Sequence, residues 1–87
     1  MTWRPHRVAY KAQADRDLAR LGRALADRIM AAIDRYAETG HGDVKELQGR
    51  TDQWRLRVGD WRVIFTLDHG NLLVIVLRVV PRGNAYR

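Results

Sequence analysis

From Trp54 onward, apolar residues fall at every second position. Trp54, Leu56 and Val58 alternate with Arg55 and Arg57, and Trp61, Val63, Phe65 and Leu67 alternate with Arg62, Ile64 and Thr66. Successive side chains of a strand point to opposite faces, so this period predicts two strands, each with one face against a core. Gly59 and Asp60 between them fit a two-residue hairpin turn. A second turn is expected at Asp68, His69, Gly70 and Asn71. The run from Leu72 to Val79 is apolar on both faces until Arg78, which suits a central strand.

The N-terminal half has a different period. Arg7, Val8, Ala9 and Tyr10 could form a short first strand, with Pro5 confining its start to an edge or an entry turn. Ala14, Leu18 and Leu21 then recur at helical spacing, with Asp15, Arg16, Asp17 and Arg20 on the remaining faces and Gly22 as the expected C-cap. Leu25, Ile29, Ile33 and Tyr36 step by four, four and three, with Ala32 and Ala37 beside them. They predict a second amphipathic helix ending near Thr39 and Gly40. Charges such as Arg23 and Asp27 belong to its solvated face. Gly40 through Gln53, with Gly40, Gly42, Gly49 and Asp52, reads as a loop of 14 residues anchored by Val44 and Leu47. The order strand, helix, helix, three-stranded meander gives an α+β class. The expected architecture is a single domain over residues 1–87, with an N-terminal helical hairpin packed on one face of a small antiparallel β-sheet.

Composition narrows what such a domain can do. With 87 residues there is room for one core, and a chain of this size buries only about 60–65% of its unfolded surface, so function is expected on the outside. The absence of cysteine excludes disulfides, thiolate nucleophiles and cysteine zinc sites. Arg4, His6 and Arg7 are followed by no long apolar stretch, and no run approaches 18 apolar residues, so a cytoplasmic protein without a membrane partner is expected. The formal charge is +6, which favours a polyanionic partner. Residues 1–49 carry nine basic and seven acidic side chains, whereas residues 50–87 carry seven and three. The excess therefore leans towards the sheet. Fourteen Arg against two Lys also fits a coding bias, which would raise Arg anywhere on the surface.

In a hairpin whose apolar residues face the helices, Arg55, Arg57 and Arg62 must emerge together on the other side. Like charges side by side repel, so three convergent arginines imply a missing anion such as phosphate. The alternative is that basic residues on a sheet edge merely block aggregation. The closing segment VVPRGNAYR adds Arg82, Tyr86 and Arg87 just after the central strand. His6, His41 and His69 lie in three unrelated segments without metal-ligand spacing and read as exposed polar residues. Trp54 and Trp61 fit the core, while Trp3 could be exposed. No Gly-rich phosphate loop and no carboxylate cluster for a metal occurs, so neither a metal nor a small-molecule cofactor is expected.

The run LQGRTDQWRLRVGDWRVIF, followed by a turn, an apolar strand and VVPRGNAYR, resembles the RelE group of the RelE/ParE toxin superfamily. The likeness extends from about Val8 to Tyr86. It implies the toxin of a type II toxin-antitoxin system, a metal-independent endoribonuclease that cleaves mRNA, in many members on the ribosome, and is held inactive by a cognate antitoxin protein. Position by position, it assigns the basic sheet residues to Arg55 and Arg57, the next strand's arginine to Arg62, the late arginine to Arg82 and the terminal tyrosine to Tyr86. The chain departs from the family pattern in carrying Arg where Lys occurs in well-studied members, and Pro81 and Gly83 where many have His, Lys or Arg. Glu46 stands where it could act as a base, as a carboxylate does in some relatives. Arginine keeps its proton, so Arg55, Arg57 and Arg62 are cast as phosphate clamps, with Tyr86 as proton carrier or base-stacking platform. A second expectation within the same fold is a ParE-like toxin that binds DNA gyrase without catalysis. A third, a plain RNA-binding module, lacks the aromatic signature of the common RNA-recognition sheet.

Overall fold

Leu18, Ile29, Ile33, Tyr36 and Ala37 are buried against Leu56, Val63, Phe65, Val74, Val76 and Val79. The helical stripes and the strand alternation thus meet in one core. A computed structural model describes residues 2–49 and 52–83. Its elements are β1 (Arg7–Tyr10), α1 (Ala12–Ala19), α2 (Arg23–Thr39), β2 (Asp43–Glu46), β3 (Trp54–Val58), β4 (Trp61–Asp68) and β5 (Leu73–Pro81). The helices cover one face of a five-stranded sheet of order β1-β5-β4-β3-β2. Phe65, Ile29, Ile33, Val63, Val74 and Val76 are almost fully enclosed, and burial of each such side chain contributes roughly 1.5–3 kcal/mol.

The expected α+β layering is present, with two differences in the sheet. Four strands run antiparallel, but β1 joins β5 in parallel, with Arg7 opposite Leu73 and Tyr10 opposite Val76, so the sheet is mixed. The expected loop also contains a strand: β2 pairs with β3, Asp43 opposite Arg57 and Glu46 opposite Trp54. Only Val44 of this edge strand packs on the core, which explains why no alternation announces it. The Gly59–Asp60 turn is as expected, since Val58 stands opposite Trp61.

Two further expectations are corrected. Gly22 does not close α1, whose C-cap is Arg20; it opens α2, where its carbonyl accepts the Ala26 N–H. Asp17 is not on a solvated face but is only 6% exposed. A register shift between Ile64 and Phe65 inserts Leu77 into β5, and β5 has no β1 partner beyond Val76. The N–H of Val79 on that open edge donates to Asp17 Oδ2 at 2.9 Å, and Arg78 Nε reaches the same oxygen at 2.9 Å. A carboxylate on α1 therefore closes a sheet edge that would otherwise expose an unpaired donor.

Trp3 is not exposed either. Its indole N–H donates to Ala37 O at 2.9 Å, and its ring stacks on His6 and tilts against Tyr36. His6 is consequently half-buried rather than exposed. The indole lies over Gly40, which ends α2 at φ 76°; a Cβ there would sit 2.8 Å from the Trp3 ring. Gly40→Ala is expected to cost about 1–3 kcal/mol, combining left-handed strain with displacement of Trp3. Gly40→Ala in a Trp3→Leu background is the matched control, because the backbone strain at φ 76° stays and the ring is gone. Thermal melts should show the larger loss with Trp3 in place, each variant being compared with its own parent. Equal losses would mean that the indole contact contributes nothing.

Candidate functional site

Strand register decides which basic side chains share a face. Arg57 stands directly opposite Arg62, and Arg55 opposite Ile64, so all three occupy the face away from the helices. Arg62 is in turn opposite Val80 on β5. Arg57 is exposed and Arg62 half-buried. Among the described residues neither makes an ion pair with a carboxylate, although directly opposed like charges on a sheet are destabilising.

Arg55 turns the other way. Its Nη1 donates to Asp43 O at 3.1 Å and lies 3.3 Å from Asp43 Oδ1, and its side chain is only 15% exposed. The guanidinium is thus drawn towards edge strand β2 instead of converging on Arg62. Arg82 follows β5 and is exposed; its backbone N–H donates to Asp60 O at 2.6 Å, which fixes the chain at the β3–β4 turn, beside the Arg57/Arg62 pair. Tyr86 lies outside the described residues, as does Arg87.

The hidden strand changes the inventory. Lys45 stands opposite Arg55 and so joins the arginine face, whereas Glu46 stands opposite Trp54, on the other side of the sheet. That register separates Glu46 from Arg57 and Arg62. The sequence signal for Lys45 was the alternation in Asp43–Glu46, too short and too poor in apolar residues to be counted. His41, read as an isolated polar residue, lines a cleft with Arg57.

The face offers cations and few proton carriers. Guanidinium groups hold phosphate oxygens and stay protonated at any physiological pH. The two described tyrosines belong to the helix side. Tyr10 is pushed up to about 12 by burial and by the carboxylates of Asp34 and Asp15, and burial also pushes Tyr36 up. Neither is placed to exchange a proton at the arginine face. Among the described residues, no group of three or more His, Asp or Glu side chains could hold a metal ion, and no helix is long and apolar enough to cross a membrane.

This arrangement has relatives. The family model for the ParE toxin of type II toxin-antitoxin systems matches residues 8–86. No curated protein matches the chain by sequence alone. Among solved structures, the chain is 30% identical to the archaeal RelE–RelB complex from Pyrococcus horikoshii, with a TM-score of 0.75, covering 98% of this chain and 100% of that one. The toxin-antitoxin complex RelBE2 from Mycobacterium tuberculosis gives 24% identity and a TM-score of 0.79 over 93% of this chain and 95% of that one. The isolated E. coli RelE toxin shares the fold at 13% identity, TM-score 0.75, over 93% and 88% of the two chains. With a family model spanning nearly the whole chain and a RelE fold beneath it, the protein belongs to the RelE/ParE superfamily as a RelE-like toxin of a type II toxin-antitoxin system.

Proposed function

We propose that this toxin is a metal-independent endoribonuclease that cleaves mRNA. The observation that supports the reading is the Arg57–Arg62 pair: two guanidinium groups held opposite one another on an open sheet face, with the Arg82 backbone tied to the adjoining turn. A protein gains nothing in stability from that pairing, and a bound phosphodiester removes the repulsion. In the proposed reaction the RNA 2′-hydroxyl gives up its proton to a base as its oxygen bonds to the neighbouring phosphorus, a dianionic phosphorane develops, and the P–O5′ bond breaks as the 5′-oxygen takes up a proton, leaving a 2′,3′-cyclic phosphate and a 5′-hydroxyl. Arg57, Arg62 and Arg82 stabilise the phosphorane charge, which electrostatic donors do best when already in place. Arg55, neutralised by Asp43, orients the strand rather than the reacting phosphate. Tyr86 is the proposed proton carrier, the residue to which the family resemblance assigns the terminal tyrosine.

A cognate antitoxin is the proposed protein partner, because two of the solved relatives are RelE–RelB or RelBE assemblies. The setting proposed for the reaction is the cytoplasm, on free or ribosome-bound mRNA. Primer extension on mRNA after brief induction is the direct test: new 5′ ends within coding sequence are expected within minutes of toxin synthesis. Intact transcripts throughout growth arrest would overturn the reading. One observation favours a second reading, DNA gyrase binding without catalysis, namely that the matching family model is that of ParE. In that case purified toxin would block gyrase supercoiling, and it would do so equally well with Arg62→Ala.

A further inference from the structure

Arg57 has a second neighbourhood that the cleavage reading does not use. The pairing of β2 with β3 ends at Asp43 and Arg57, so past that point the β3 edge is open. Between it and α2 lies a cleft of about 390 Å³ lined by Ala31, Ala32, Arg35, His41, Arg57 and Val58, among others. This volume falls within the roughly 300–1,000 Å³ of sites that seat small organic groups. Its floor is apolar, with Ala31, Ala32, Leu56 and Val58 among the lining residues. Two arginines are among its lining residues, Arg35 from α2 and Arg57 from the β3 edge. Asp43 also lines the cleft, but its carboxylate is engaged by Arg55. The basic rim continues along α2: Arg28 lies two turns before Arg35, and its Nη2 is 3.5 Å from the position a Gly59 Cβ would take.

We propose that this cleft is a second nucleotide subsite, which binds the RNA segment adjoining the scissile phosphate and holds that segment's phosphate between Arg35 and Arg57. The proposal rests on the ribonuclease reading for the identity of the strand, and on its own geometry for the site. Arg57 is common to both places, so a single strand gripped at the Arg57–Arg62 pair can pass over the open β3 edge into the cleft without leaving positive potential. The Ala31–Ala32 floor admits the flat face of a base, and His41 offers a ring or a hydrogen bond beside it. RNA fits better than an acidic peptide because the two arginines are the cleft's net charge once Arg55 has neutralised Asp43, and a flat apolar floor between cations matches a base flanked by phosphate.

The test uses purified full-length toxin, a short single-stranded oligoribonucleotide with 2′-O-methyl sugars, which cannot be cleaved, and the same sequence with 2′-hydroxyls. Arg35→Ala is expected to weaken binding of the uncleavable strand several-fold and to reduce the slope of log affinity against log salt by about 0.7, the value for one lost phosphate contact on single-stranded nucleic acid. Arg35→Lys should restore most of both. With the cleavable strand the loss should appear in KM rather than in kcat. Arg35 is exposed, so the substitution is not expected to lower the melting temperature, which is measured alongside. Unchanged affinity and slope would overturn the subsite, and so would an effect confined to antitoxin binding, which would assign the cleft to protein. If the wild type binds with an Arg35-dependent slope but never cuts the hydroxylated strand or mRNA, the ribonuclease reading fails and the subsite stands.

Discussion

Arg62→Ala is expected to slow RNA cleavage by roughly 100- to 1,000-fold, the loss that follows removal of one preorganised donor to a developing anion, with the substrate still bound. Arg62 is the better of the opposed pair for this test, because it is half-buried on β4, the middle strand of the sheet, and has the less freedom to be replaced by a neighbour. Arg57→Ala should lose activity too, and with weaker RNA binding, since Arg57 is exposed, stands opposite Arg62 and is among the residues lining the α2 cleft. Arg55→Ala should lose much less, because its guanidinium already belongs to Asp43.

A stability measurement makes this prediction sharper. If Arg57 and Arg62 are opposed for the sake of a bound phosphate, the free protein carries their repulsion as a cost, and Arg57→Gln should raise the unfolding free energy by about 0.2–1 kcal/mol while lowering cleavage. Activity and stability moving in opposite directions is the signature of a site. Cleavage of an mRNA substrate by Arg62→Ala at the wild-type rate would remove the pair from the mechanism. Arg57→Gln losing stability would show that the two arginines hold the hairpin together instead.

How far the sequence discloses this protein depends on the distance between the interacting residues. The β3–β4 hairpin was legible because alternation from Trp54 to Leu67 and a Gly-Asp turn are local signals, and the same alternation placed Arg55, Arg57 and Arg62 on one face. The face of a residue is a local matter; the direction of its side chain is not. Arg55 bends towards Asp43 because β2 lies beside it, and β2 was invisible, being a four-residue edge strand with one core residue. The same omission hid Lys45 and put Glu46 in an uncommitted loop when its register with Trp54 sets it across the sheet. Parallel pairing of β1 with β5 joins residues more than sixty positions apart, and no pattern within either segment records it. Leu77 is concealed for a third reason: in a strand apolar on both faces, an inserted residue breaks no visible period. The family resemblance could name positions for the site, but it could not tell which arginines are already spoken for.

That inserted residue leads to the largest expected effect on folding, at Asp17. Asp17→Ala should destabilise the protein by about 2–3 kcal/mol, because it strands the buried N–H of Val79 on the open β5 edge and removes the carboxylate that Arg78 binds. For a domain of this size that loss corresponds to a fall in melting temperature of roughly 8–24 °C. Asp17→Asn should cost less, since an amide oxygen can still accept from Val79 but offers no charge to Arg78. The pH dependence has a definite sign. Burial pushes the Asp17 carboxyl up, but hydrogen bonds from Arg78, Val79 and Gln13, with the Arg78 charge, outweigh it and hold the group below the usual carboxylate range. A carboxyl depressed in the folded state contributes stability above its unfolded pKa, near 3.9 for Asp, and loses it as pH falls through the folded value. The gap between wild type and Asp17→Asn should therefore be constant at neutral pH and close progressively below about pH 4. Chemical denaturation across that range checks both claims. A gap that persists unchanged into strong acid would mean that the carboxylate charge plays no part in closing the edge, and a melting temperature unaffected by Asp17→Ala would mean that the edge needs no closing at all.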